Sequence, residues 1–224
     1  MAAIKKHDFV EIEYTGRIKE DGTIFDTTEE KVANENHLHD KDADYSPAVV
    51  CVGEGNILQG LEEQMIGKEA GKEYVFEVKS DNAFGRKNAK LIQLIPTNKF
   101  RQQNIQPIPG LQLNIDGVFG IVKTVRGGRC LVDFNHPLAG KDLIYNVKIN
   151  RIVDDAKEKL NSLLKMHLHI KDAEIEVKEE SVDIKLKQKL PKDAQEEFRK
   201  IAGKTVPGIK NISFAAIENK NKYI

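Results

Sequence analysis

A chain of 224 residues can hold one large domain or two to three small ones, and length alone does not choose. Its 35 Lys and Arg balance 35 Asp and Glu, so no global field draws it onto nucleic acid or an anionic membrane. The clearly apolar runs reach about five residues against the roughly 18 of a membrane span, and "MAAIKKHDFVEIEY" lacks a signal-peptide core, which predicts a soluble, cytoplasmic protein. Cys51 and Cys130 sit in separate strand-like segments and read as two buried small hydrophobes in a reducing compartment.

In chain order, "FVEIEYTGRI" alternates with Val10, Ile12 and Tyr14 on one face, and "EDGT" turns it into "IFD", predicting an opening hairpin. From Thr27 to Ser46 the chain is polar without a sustained period and is expected to be an exposed excursion ending at Pro47. The strand "PAVVCV" leads through Gly53 and Gly55 into a helix expected over 56–66. Asn56 is its N-cap, Ile57, Leu58, Leu61 and Met65 form an apolar stripe, and Glu62 and Glu63 turn away. Gly67 ends that helix, and "EYVFEV" follows as a strand with Tyr74, Phe76 and Val78 on one face.

Residues 86–134 read as a separate small unit. "IPTNKFRQQNI" makes one short helix, and the Asp116-Gly117 turn and the "RGG" turn join three antiparallel strands. "LIYNVKINRIV" then alternates Leu143, Tyr145, Val147 and Ile149, a strand expected to return to the first sheet. A third part follows, with a helix from about 154 to 171 and two strands around Glu179–Ser181. "PKDAQEEFRKIAG" is a helix ending at Gly203, "ISFAAIE" a last strand, and "NKNKYI" a frayed tail.

The run "GEGNILQG" places apolar strand, glycines and helix in an order that can cradle a phosphate. Its spacing matches neither the dinucleotide fingerprint nor the P-loop, and Glu54 would set a negative charge beside the phosphates. His37 and His39, and His167 and His169, are weak H-x-H metal signals. In the second pair, positions i and i+2 of a helix diverge by about 200°. No nucleophile motif is present. Asp26, directly after Phe25 at a strand end, must point to water or accept a hydrogen bond.

Taken together, "VEIEYTGRI…DGTIFDTT", "VGEGNILQGLEEQMIGKEAGKEYVFEV", "DNAFG" and "NHPLAGKDLIYNV" closely resemble the FKBP-type peptidyl-prolyl cis-trans isomerases over residues 4–153. A second unit between "AFG" and "NHPLAG" resembles the SlyD-like branch with its insert-in-flap domain, and residues 154–224 resemble the C-terminal domain of long archaeal members. The resemblance implies an α+β fold, an antiparallel half-barrel around one helix, with a small β-rich insert and a C-terminal α/β sandwich-like domain. The implied domains are 1–85 with 135–153, then 86–134, then 154–224.

It also implies an apolar prolyl pocket. Tyr14, Phe25 and Asp26 would come from the first hairpin, Ile57, Leu58 and Leu61 from the helix start, Phe84 from the flap edge and Tyr145 from the returning strand, with His136 and Leu138 at the rim. Tyr14 and Asp26 are the pair implied to act on the substrate. Leu61 stands where many members have Trp, Phe84 where many have Tyr, and Tyr145 where Phe is common. The implied clients are unfolded or partly folded proteins with X-Pro bonds, with no cofactor, metal, nucleic acid or membrane. A homodimer through the C-terminal domain stays open, as do two other functions: a holdase or assembly module with a vestigial pocket, and a metallochaperone.

Overall fold

The computed structural model describes residues 3–115 and 117–217. Asp116, half of one expected turn, and the tail 219–224 lie outside the described residues. In chain order the elements are β1 (Phe9–Ile18), β2 (Ile24–Thr27), α1 (Glu30–Glu35), β3 (Ala48–Cys51), α2 (Gln59–Met65) and β4 (Lys72–Val78). Next come β5 (Ile92–Pro96), α3 (Thr97–Gln102), β6 (Gln112–Ile115), β7 (Val118–Arg126), β8 (Arg129–Asp133) and β9 (Leu143–Val153). The chain closes with α4 (Ala156–Leu168), β10 (Ala173–Lys178), β11 (Ser181–Leu186), α5 (Lys192–Thr205) and β12 (Asn211–Ala216). Two compact units result: residues 1–77 with 144–224, and residues 78–143. These divisions fall at different positions from the three-part division expected from the sequence.

The first unit is built on a five-stranded sheet in the order β2-β1-β9-β4, with β3 also pairing β1. The N-terminal half of β1 takes β3 as its antiparallel partner, Val10 opposite Val50, and the C-terminal half takes β2, Gly16 opposite Asp26. A register shift between Gly16 and Arg17 marks a bulge in this strand. Alternation buries Val10 and Ile12 of β1, Phe76 of β4 and Val147 and Ile149 of β9, while Val75 faces out. Leu61 and Met65 of α2 are also buried.

Residues 154–217 do not stand apart. Phe9, Cys51 and Val153 share one hydrophobic core with Leu160, Leu163 and Leu164 of α4, Ile184 of β11 and Phe198 of α5. Asp155 caps α4 by accepting the Glu158 amide at 2.8 Å. The sheet order is β10-β11-β12, with an antiparallel first pair and a parallel second pair joined through α5. Helix α5 runs through Gly203 to Thr205 rather than stopping there, since the buried Ala202 and Thr205 hold its last turn against the core.

The unit of residues 78–143 carries a four-stranded antiparallel sheet, β5-β8-β7-β6, one strand more than the sequence predicts. The extra strand β5 is an edge strand ending in Pro96, where a missing N–H is tolerated. Phe100 of α3, Leu113, Val122, Cys130 and Val132 form the core. Within this unit the buried Asp133 pairs with Lys87 at 2.8 Å and accepts the Asn135 side-chain amide at 2.8 Å, while the Asn88 amide donates to Asn135 Oδ1 at 2.7 Å.

Two expectations for the glycine-rich junction are overturned. Asn56 does not cap α2: Leu58 holds that position, and Asn56 Oδ1 instead accepts the Cys51 amide at 2.8 Å. Glu62 does not turn away: it is 5% exposed and its carboxylate gathers the loop. Gly53 and Gly55 donate to Oε2 at 3.0 and 3.2 Å, and Asn56 and Ile57 donate to Oε1 at 2.9 and 3.4 Å. Positive φ at Gly53 (87°) and Gly55 (73°) lets successive amides point at one acceptor. The anion suited to this loop is the chain's own. The expected exposed excursion after Thr27 also contains α1, anchored by the buried Ala33.

Two measurements test these assignments. Glu62→Ala leaves four amides without their acceptor and is expected to cost about 3 kcal/mol by denaturant unfolding, against within about 0.5 for Glu63→Ala on the exposed face. Equal small effects would refute the assignment. For Asp133, burial raises the carboxyl pKa but is outweighed by Lys87 and Asn135, which hold it down at about 2, below its unfolded value near 3.8. Its stabilisation is therefore complete above about pH 4 and drains as pH falls toward 2, by about 2 kcal/mol. Thermal unfolding from pH 5 to 2 should fall more steeply for the parent than for Asp133→Asn.

Candidate functional site

The first hairpin places Tyr14 on β1 and Phe25 and Asp26 on β2. The Tyr14 backbone is anchored by two threonines: its amide donates to Thr28 Oγ1 at 2.8 Å, and its carbonyl accepts from the Thr28 amide at 2.9 Å and from Thr27 Oγ1 at 3.1 Å. With its main chain held, Tyr14 points its hydroxyl to Asp26 Oδ2 at 2.9 Å. The ring of Tyr145, from β9, lies 5.9 Å from Tyr14 and 5.8 Å from Phe25, the latter edge-on.

Gly16 makes this aromatic group possible. A Cβ there would lie 2.8 Å from the Tyr145 ring and 2.9 Å from Phe25, so any side chain would push the rings apart. The sequence pattern hides this role, because a glycine inside an alternating strand reads only as a weak point.

Burial, and after it the negative charge of Asp26, raises the pKa of both tyrosine hydroxyls above the ordinary value. Both stay protonated around neutral pH, and Tyr14 remains a hydrogen-bond donor. Burial also pushes the Cys51 thiol up to about 12, with Glu54 and Glu62 adding to the shift, so it supplies no thiolate nucleophile.

A cleft of about 460 Å³ opens over these residues, lined among others by Tyr14, Phe25, Asp26, Ile57, Leu38, Tyr45 and Ala48. Leu38 and Tyr45 come from the segment expected to be an exposed excursion. The Tyr45 hydroxyl donates to the Leu38 carbonyl at 3.2 Å and accepts the Asp40 amide at 2.8 Å, folding that segment into a wall. An aromatic just before Pro47 was the available clue. Leu58 caps the start of α2 and Leu61 is buried in the core, and neither is among the lining residues.

In the unit of residues 78–143, Phe84 stacks on His136 with centroids 4.3 Å apart and planes 2° from parallel. The buried Leu138 donates its amide to His136 Nδ1 at 3.2 Å. Tyr14, Phe25, Asp26, Ile57 and Tyr145 thus come together in one unit, and Phe84, His136 and Leu138 in the other.

One histidine of each pair has another partner. His39 stacks on Tyr45 at 5.5 Å and meets Glu30 at 3.4 Å, His167 Nε2 lies 3.4 Å from Asn56 Nδ2, and His169 takes the left-handed position ending α4. Among the described residues no three His, Cys, Asp or Glu side chains gather as a metal site, and no helix is long and apolar enough to cross a membrane.

Residues 93–138 match the family model described as "FKBP26, IF domain". A "Short-type peptidyl-prolyl cis-trans isomerase" of Methanocaldococcus jannaschii is 33% identical over 149 residues, 66% of this chain and 94% of that protein. A "Probable FKBP-type 16 kDa peptidyl-prolyl cis-trans isomerase" of Pseudomonas fluorescens is 36% identical over 49% of this chain and 75% of its own length. The "FKBP-type peptidyl-prolyl cis-trans isomerase SlyD" of Pasteurella multocida is 27% identical over 55% of this chain and 62% of its own. With relatives above 30% identity covered over most of their length, and with an aromatic cleft on the first hairpin, the chain belongs to the FKBP-type peptidyl-prolyl cis-trans isomerases.

Proposed function

We propose that this isomerase accelerates rotation about X-Pro bonds in folding proteins by enclosing the prolyl amide in the cleft over Tyr14, Phe25, Asp26 and Ile57. The observation that carries the reading is the Tyr14–Asp26 hydrogen bond at 2.9 Å, set beside the Phe25 and Tyr145 rings, with Tyr14, Phe25, Asp26 and Ile57 lining one cleft.

Rotation crosses a barrier of about 18 to 20 kcal/mol because the twisted amide loses its resonance. No covalent bond forms. The planar amide carries more charge separation than the twisted one, so transfer from water into an aromatic and aliphatic enclosure disfavours the ground state more than the transition state. A thousandfold acceleration requires about 4 kcal/mol of this difference. Asp26 orients Tyr14 and faces the twisting carbonyl as a fixed charge, with no proton transferred.

The unit of residues 78–143 would hold unfolded chains and pass prolines to the cleft, raising the local concentration of substrate. Its apolar residues divide in a way that supports this. Phe100 is buried, with Ile95 and Ile105 packed on the core, but Ile108 (56%) and Phe119 (42%) are exposed, and Leu94 (60%) and Val118 (52%) with them. These exposed apolar groups are the residues that would meet apolar segments of a client. A groove of about 590 Å³, lined by Leu94, Ile95, Phe100, Ile105 and Leu113, lies in the same unit.

Asp26→Ala combined with Tyr14→Phe is expected to lower kcat/KM for a proline tetrapeptide by at least roughly tenfold, about 1.4 kcal/mol of transition-state stabilisation. An unchanged rate would refute the site. Replacing residues 87–134 by a short linker is expected to leave tetrapeptide isomerisation largely intact while impairing proline-limited refolding of a protein substrate. Equal loss on both substrates would count against the division of labour.

A further inference from the structure

The prolyl cleft has a wall from outside the first hairpin and the α2 loop: Met166, at the C-terminal end of α4, lines the same cleft as Tyr14, Asp26 and Ile57, together with Lys165 and Lys171. Helix α4 is held there by several bonds. Ser162 Oγ donates to the Val49 carbonyl on β3, Lys165 Nζ pairs with Asp44 at 2.7 Å, and His167 Nε2 lies 3.4 Å from the Asn56 side-chain amide. Lys171 Nζ adds a bond to the Asp42 carbonyl at 3.3 Å.

These bonds tie α4 to β3, to the 42–44 segment and to the residue beside Ile57, all of which border the cleft. Strand β3 offers this wall only Ala48 and Val50, and Met166 is the long apolar side chain that α4 adds. Half-buried and unbranched, Met166 can follow substrates of different shape. A prolyl ring seated among Tyr14, Phe25 and Ile57 leaves the flanking residues of the peptide to meet the remaining walls. We propose that Met166 is a substrate-contacting residue that sets the preference for an apolar side chain flanking the proline. This rests on the cleft being the prolyl site.

The test uses the full chain and proline tetrapeptides in two series, with Gly, Leu or Phe placed immediately before or immediately after the proline. In at least one series, Met166→Ala is expected to raise KM for the Leu and Phe peptides by roughly tenfold, leaving the Gly peptide within about twofold. Met166→Leu, which restores apolar bulk, should recover most of the preference, and a thermal midpoint close to the parent's shows that the fold is kept. Asp26→Ala serves as the reference and should slow every peptide alike. If Asp26→Ala slows all peptides while Met166→Ala changes none, or changes all equally, the role of Met166 is overturned and the prolyl site stands. If neither variant changes any rate, the prolyl-site reading fails, and this inference with it.

Discussion

The carboxylate of Glu62 organises the centre of the first unit. A loop that turns from β3 into α2 must present several backbone amides in one direction, and without an acceptor they would be left unpaired in a partly buried place. Glu62 takes those of Gly53, Gly55, Asn56 and Ile57, from within the helix the loop leads into. This fixes the direction in which Ile57 enters the cleft. It also leaves the Asn56 side chain free of capping duty, so that its Oδ1 holds the Cys51 amide while its Nδ2 lies beside His167. One buried carboxylate thereby links the sheet, the helix and the contact with α4.

The chemistry proposed for the site follows from the groups that would surround the amide. Tyr14, Phe25 and Tyr145 can approach one another only because Gly16 carries no side chain, and Thr27 and Thr28 hold the Tyr14 main chain. The result sets three aromatic rings beside one oriented hydroxyl and the Asp26 carboxylate. Such a surface is poorly suited to proton shuttling, since both tyrosine pKa values are pushed upward, and under the proposed reading it serves to take an amide out of water. Rotation about a partial double bond asks for the second property alone.

The chain order makes the arrangement economical. Strands β4 and β9 are partners in the five-stranded sheet, and residues 78–143 are inserted between them in the chain, with Asp133, Lys87 and Asn135 bonded to one another inside that insert. Beyond β9 the chain runs almost at once into α4, and Val153 carries the core of the first sheet into that of β10, β11 and β12. Residues 154–217 therefore share a core with the first sheet, and Lys165 and Met166 line the cleft.

Much of this was legible in local patterns. Alternation at Val10 and Ile12 and at Leu143, Tyr145, Val147 and Ile149 announced β1 and β9, the leucines of α4 announced a buried helix face, and motif order pointed to the family and to Tyr14, Phe25 and Asp26. Strand β5 escaped because a short edge strand ending in proline has no period to read. The role of Glu62 escaped because a charged residue at that place in a helical pattern reads as solvent-facing. Gly16 escaped because its meaning lies in rings 9 and 129 residues away. The sequence by itself determined the periodic elements, the family and the hairpin residues proposed for the site, since those depend on neighbours along the chain. Only the tertiary structure decided what receives the loop amides, which apolar residues of the insert face outward and which helix walls the cleft. Those depend on groups that meet in space, where burial makes an unpaired amide costly and a missing side chain valuable.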